Sequence, residues 1–174
     1  YKYKENIFEV IDFMLIFANE SETTIKIMAK KNQLTTSDPL IYSEFERLLE
    51  RLHKDKEYLW EMYARLSFCT ACRASDVLSF KWEDILKQDR ITICEKKTKK
   101  TREIPINRSV QNKFYELYEL LGRPDKKNFI FSNDKGDKPY TIQYVNQKLK
   151  YFKFRYRLNI EHFSTHTLRK TFGR

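Results

Sequence analysis

Apolar side chains return every three or four residues along most of this chain, and that pattern gives way to sustained alternation between Arg90 and Ile106. A period of three to four lines up side chains on one helix face, whereas alternation lines them up on one face of a strand. The chain is therefore expected to be mainly α with a small three-stranded antiparallel β-sheet. Its punctuation agrees, because 3 Gly and 4 Pro in 174 residues are too few for the many tight turns of a sandwich or propeller. A hydrophobic content of 41% is enough to pack a core, which excludes disorder throughout.

Residues 5–18 carry Ile7, Phe8, Val10, Ile11, Met14, Leu15 and Phe17 in a strongly apolar helical pattern, and residues 21–32 form a second, more basic one. The polar stretch from Gln33 to Pro39 is a linker, so the expected organisation is an N-terminal helical segment, 1–39, and a main domain, 40–174. Ser43 and Glu46 make a capping box that opens the main domain, with Phe45, Leu48, Leu49 and Leu52 at helical spacing behind it. Further helices are expected at 56–70, 74–80 and 110–121. Ile91 and Ile93 alternate with Thr92 and Cys94, and Ile104 and Ile106 flank Pro105, which predicts a β-hairpin. Phe129–Phe131 is the candidate third strand, followed by turn chemistry around Gly136. Beyond Thr141, Ile142, Val145, Leu149, Phe152 and Tyr156 step by three and four. A strand competes at 152–157, and the longer helical register is preferred.

Several function classes drop out on composition. The longest unbroken apolar run, Phe13 to Ala18, is six residues, far below the ~20 a helix needs to cross a bilayer. No membrane partner and no secretory signal are expected. Three cysteines are too few for a disulfide framework and point to a reducing, cytoplasmic setting. Cys69 and Cys72 are spaced like half a zinc site, but no second pair accompanies them, so they are expected to be buried thiols. There is also no phosphate-cradling Gly-rich loop and no cluster of acids spaced for Mg²⁺, so no cofactor is expected.

The formal net charge of +10 suits a polyanionic partner, since each neutralised phosphate releases condensed counterions. That charge is clustered. Residues 96–102 hold Lys96, Lys97, Lys99, Lys100 and Arg102 without an acid, and residues 148–174 hold eight basic residues against Glu161 alone. Two such clusters, on a hairpin and on the last helices, form the electrostatic footprint of a site wrapped around nucleic acid.

The string LSFCTACRASDVLSFKWEDI at residues 66–85 resembles the first signature box of the tyrosine recombinases, the phage-integrase superfamily of site-specific DNA recombinases. Arg73 falls where that box has a catalytic arginine and Asp76 at its acidic position, while Ala71 stands where the family usually has glycine. STHTLRKTF at residues 164–172 resembles the second box, which places His166 and Arg169 in catalytic positions and Lys170 where histidine is common. KTKKTREIPI, Lys97 to Ile106, resembles the family's hairpin, whose catalytic lysine precedes a proline by eight residues, as Lys97 precedes Pro105. The resemblance covers roughly residues 40–174. It implies a recombinase catalytic domain that cleaves and rejoins double-stranded DNA through a 3′-phosphotyrosyl intermediate, with several protomers assembled on paired DNA sites. No tyrosine follows Arg169, so the nucleophile is expected beyond Arg174 and the chain as given is expected to be inactive by itself.

The residue types suit those roles. Arginine presents a planar, permanently charged fork matched to phosphate, so Arg73 and Arg169 could clamp the non-bridging oxygens. Asp76, one turn from Arg73, could orient it. His166 shares a helix face with Arg169 and could donate to the same phosphate or accept a proton. Lys97 could protonate the departing 5′ oxygen, with Lys96, Lys99, Lys100 and Arg102 contacting DNA around it. Type IB topoisomerases share this chemistry. Two other readings remain at this level: a non-catalytic DNA-binding regulator on a recombinase-like domain, and a helical interaction module with a basic surface.

Overall fold

A computed structural model describes residues 37–86 and 89–172. The helices expected at 5–18 and 21–32 lie outside the described residues, as does most of the linker before Ser37. The elements run in the order α1 (Tyr42–Lys54), α2 (Tyr58–Thr70), α3 (Ala74–Val77), α4 (Trp82–Leu86), β1 (Arg90–Cys94), β2 (Thr101–Pro105), α5 (Arg108–Leu120), α6 (Ile142–Arg155) and α7 (Thr165–Phe172). None of the described helices is long and apolar enough to cross a membrane.

The core forms around α2, which packs against α1, α5 and α7. Met62, Tyr63 and Leu66 from α2 are fully buried with Leu48 and Leu52 of α1, Phe114 and Leu117 of α5, Phe152 of α6 and Leu168 of α7. Each side chain is the inward member of its helix's apolar stripe. In α6 the helical register prevails over the competing strand at 152–157. Phe152 and Tyr156 are buried one turn apart, and Phe154 between them faces outward, as helical spacing requires.

Two boundaries differ from expectation. Ser43 does not cap α1, because the helix begins one residue earlier and the carbonyl of Ile41 accepts from the N–H groups of Glu44 and Phe45 at 3.0 and 3.1 Å. The cause is tertiary: Leu40 is buried and its N–H donates to Thr171 Oγ1 at 3.0 Å, which sets where the chain turns into the helix. Among the described residues the sheet has two strands rather than three. Phe129–Phe131 makes only an isolated bridge to Lys81, since its backbone bonds go to loop partners: Ile130 donates to Phe80, Phe129 to Gly136, and Phe131 accepts from Tyr140. The turn after it closes through a Ser132–Pro139 bridge, with Gly136 at φ +76°, where a Cβ would collide with the Asn128 side chain.

The hairpin forms as expected, antiparallel with Ile91 opposite Ile104 and Cys94 opposite Thr101. Ile91 and Ile93 point into the core. That period of two brings the next inward position to Glu95, at the mouth of the loop that joins the strands.

Candidate active site

Four separate segments meet at one cleft of about 260 Å³, lined by Arg73, Ala74, Ser75, Lys97, Ile142, Thr165, His166 and Arg169. Arg73 is placed by the end of α2. Ala71 adopts the left-handed conformation, φ 49°, which stops the helix and turns the chain so that Arg73 becomes the extended N-cap of α3. The position where the family usually has glycine is thus a left-handed turn in this chain. Lys97 sits at the hairpin tip, and of the hairpin's basic residues it is the one that lines the cleft.

His166 and Arg169 come from α7, one turn apart. The start of that helix is fixed by side chains: Asn146 of α6 accepts the N–H of Thr165 at 3.0 Å, and Ser164 Oγ accepts that of His166 at 3.3 Å. Cleft-facing donors are therefore held by backbone geometry on a packed helix. No carboxylate pairs with Arg169 among the described residues. The cleft presents two guanidiniums, an ammonium and an imidazole, which suits a tetrahedral anion with charge on several oxygens.

The acid that holds Arg73 is Glu95, not Asp76. Arg73 Nη1 donates to Glu95 Oε2 at 2.7 Å, and Thr98 Oγ1 donates to the same oxygen at 2.7 Å. Arg102 Nη1 donates to Oε1 at 3.0 Å, so this predicted DNA contact is engaged in an intramolecular ion pair. The Thr98 hydroxyl first, then the Arg102 and Arg73 guanidiniums, hold the Glu95 carboxyl down at about 2. Asp76 instead braces the hairpin: it is buried, and its Oδ1 accepts the backbone N–H of Lys96 at 3.0 Å. Its geometry follows from α3, because Arg73 is the cap and Asp76 lies in the first turn beneath it.

Lys170 is not in the cleft. Its ammonium donates to the carbonyl of Ser37 at 2.7 Å and so ties α7 to the segment before α1. Lys96, Lys99 and Lys100 are exposed on the hairpin loop, with Lys99 at φ 58°. Glu95 was absent from the sequence-predicted site. The signal that marks it is the inward alternation of Ile91 and Ile93, which makes position 95 the third inward residue and leaves its carboxylate needing partners. Burial pushes the Cys69 and Cys72 thiols up, as expected of structural cysteines. Among the described residues no group of His, Cys, Asp and Glu is arranged to hold a metal ion.

Residues 39–174 match the phage integrase family. The chain belongs to that family. A probable integrase/recombinase of Bacillus subtilis (strain 168), YoeC, is 31% identical over 133 residues, which cover 73% of this chain and 71% of YoeC. The fold is that of tyrosine recombinase catalytic domains. The XerH site-specific recombinase, solved bound to its difH substrate before cleavage, superposes with a TM-score of 0.61 at 21% identity over 80% of this chain. The lambda integrase catalytic core superposes with a TM-score of 0.60 at 19% identity, covering 77% of this chain and 80% of that core. This integrase-family chain spans 43% of the XerH chain.

Proposed function

We propose that this integrase-family domain binds double-stranded DNA and, within its intact protein, cuts and rejoins strands through a 3′-phosphotyrosyl intermediate. The observation that carries this reading is the meeting of Arg73, Lys97, His166 and Arg169 in one cleft from segments far apart in sequence. In the reaction a tyrosyl oxygen, expected beyond Arg174, attacks the scissile phosphorus and the bond from phosphorus to the 5′ oxygen breaks. Arg73 and Arg169 bind the non-bridging oxygens and offset the charge that grows on them. His166, beside the same phosphate, accepts the proton that the tyrosine hydroxyl loses as its bond to phosphorus forms. Lys97 gives a proton to the departing 5′ oxygen, leaving a free 5′ hydroxyl and conserving the phosphodiester energy in the tyrosyl bond. The reverse steps rejoin the strand, so no external energy source enters.

The exposed lysines of the hairpin, Lys96, Lys99 and Lys100, lie beside Lys97 and supply the phosphate contacts that seat the duplex. Recombining two duplexes requires cuts on both strands of each, so the activity calls for several protomers on paired DNA sites. Residues 40–174 serve as the catalytic domain, with residues 1–39 as the segment that leads into it.

The test is adduct trapping. The intact protein is incubated with a nicked form of the duplex it selects from random DNA, so that the cleaved end diffuses away. A covalent protein–DNA species is expected for wild type and is expected to vanish in Arg73→Ala and Arg169→Ala with the helical circular-dichroism spectrum unchanged. Wild-type adduct in both variants removes the site assignment. Tight binding with no adduct from the wild-type protein favours the non-catalytic regulator.

A further inference from the structure

We propose that Glu95 is a positioning residue that locks the Lys97 hairpin onto Arg73, so that the acid and the phosphate clamp are set as one unit; this rests on the catalytic reading above. Three observations lead here. First, one carboxylate accepts from both sides of the reacting residues: Arg73 and Thr98 on Oε2 and Arg102 on Oε1. Thr98 directly follows Lys97, and Arg102 lies on β2, so the carboxylate spans the loop that carries the lysine. Second, the Glu95 main chain closes that same loop, its N–H donating to Lys100 at 3.0 Å and its carbonyl accepting from Lys99 at 2.8 Å. Third, Glu95 is buried against Arg73, one of the three cations, with Lys97 and Arg169, that line the cleft.

An exposed hairpin tip loses substantial freedom when it must hold one lysine at one atom, and a link to the core removes that cost before substrate arrives. Glu95 forms such a link. Its contact uses Nη1 of Arg73, and a guanidinium has five N–H donors, so orientation by the carboxylate is compatible with a phosphate on the remaining donors. The charge matters as well as the shape. Arg73, Lys97 and Arg169 repel one another in an empty cleft, and a fixed anion among them lowers that repulsion.

The test compares wild type, Glu95→Ala, Glu95→Gln, Lys97→Ala and Arg73→Ala in the intact protein, by single-turnover cleavage of two duplexes. One has the natural 5′ oxygen leaving group and the other a bridging 5′ sulfur, which departs as a thiolate and needs no acid. Duplex affinity and the thermal midpoint are measured alongside. For Glu95→Ala we expect cleavage of the oxygen duplex to fall at least about 30-fold, short of the ~10² to 10⁴ that is lost when a general acid is removed entirely. The sulfur duplex should recover at least about tenfold of that loss, as it does for Lys97→Ala, with affinity within about threefold of wild type. Glu95→Gln, which keeps an acceptor oxygen but no charge, should fall between the two.

A Glu95→Ala protein that cleaves the oxygen duplex at the wild-type rate overturns the proposal. So does a loss of rate that the sulfur duplex leaves untouched, since that is what a purely structural role or an effect on Arg73 alone produces. If Lys97→Ala and Arg73→Ala themselves cleave normally, the catalytic reading fails first, and that outcome is distinct from a failure of Glu95.

Discussion

Thr171 Oγ1 accepts the backbone N–H of Leu40 at 3.0 Å across 131 positions of sequence, and both residues are buried. With Lys170 on the Ser37 carbonyl, and the mutual bonds of Asp38 and His162, this hydrogen bond fastens the entry to α1 onto the helix that carries His166 and Arg169. Thr171→Val keeps the shape and deletes the acceptor, so the Leu40 N–H is left buried without a partner. The expected cost is about 1–3 kcal/mol, read from urea unfolding. A variant as stable as wild type would show that another acceptor replaces the hydroxyl.

Ala71→Gly should stabilise the protein. Ala71 holds φ 49° at the end of α2, a conformation that costs an L-residue with a Cβ roughly 1–2 kcal/mol, and glycine avoids that cost while adding about 0.5–1 kcal/mol of unfolded-state freedom. The net gain is expected at roughly 0.5–1 kcal/mol in thermal or chemical unfolding. Because the turn at Ala71 sets the chain direction into Arg73, two residues on, cleavage rates should be unchanged if glycine holds the same turn. A loss of stability would mean that the methyl group's packing outweighs the backbone term.

Much of this architecture was legible because apolar periods survive in every packed element. Leu48, Leu49 and Leu52 on α1, Ile91 and Ile93 on β1, and Val145, Leu149 and Phe152 on α6 are buried where their spacing put them. The start of α1 was not legible, since a bond to Thr171 decides it and Ser43 offered a plausible local cap. Phe129–Phe131 has the residues of a strand but no neighbouring strand to pair with, and an apolar run does not say where its partner lies. Motif spacing singled out Arg73, Lys97, His166 and Arg169, which all line one cleft, whereas it assigned Arg73 the nearer acid. Sequence distance favoured Asp76, three residues away, and the hairpin's fold delivered Glu95 from twenty-two residues away. Lys170 was placed by its neighbours in the second box, yet on α7 it points toward Ser37.

Acid unfolding should carry the signature of Glu95. Its carboxyl is held at about 2 in the folded protein against an ordinary value of 4.5. A depressed folded value means that the unfolded chain takes up the proton first as pH falls, so the stabilisation is complete above the ordinary value and is lost on the way down to the folded one. The stability difference between wild type and Glu95→Gln should therefore shrink steadily between about pH 5 and pH 2 and be constant above that window. A difference independent of pH would show that the carboxylate's charge contributes nothing to the fold.

Neutralising the outer hairpin lysines should weaken DNA binding through salt-dependent terms. Lys96, Lys99 and Lys100 are exposed and lie on the loop that bears Lys97, and Asp76 and Glu95 hold that loop through its main chain and Thr98 rather than through these side chains. Lys96→Gln, Lys99→Gln and Lys100→Gln together should leave the fold intact, because glutamine preserves the side-chain stems and the left-handed Lys99 backbone is no worse for it. If all three contact phosphates, the slope of log affinity against log salt should become shallower by about 3, at roughly 0.9 per phosphate released. Affinity should fall alike on every duplex tested, since phosphate contacts position the protein without reading sequence. An unchanged slope would place the DNA away from this face of the hairpin. A fall confined to one sequence would instead assign these lysines to base edges.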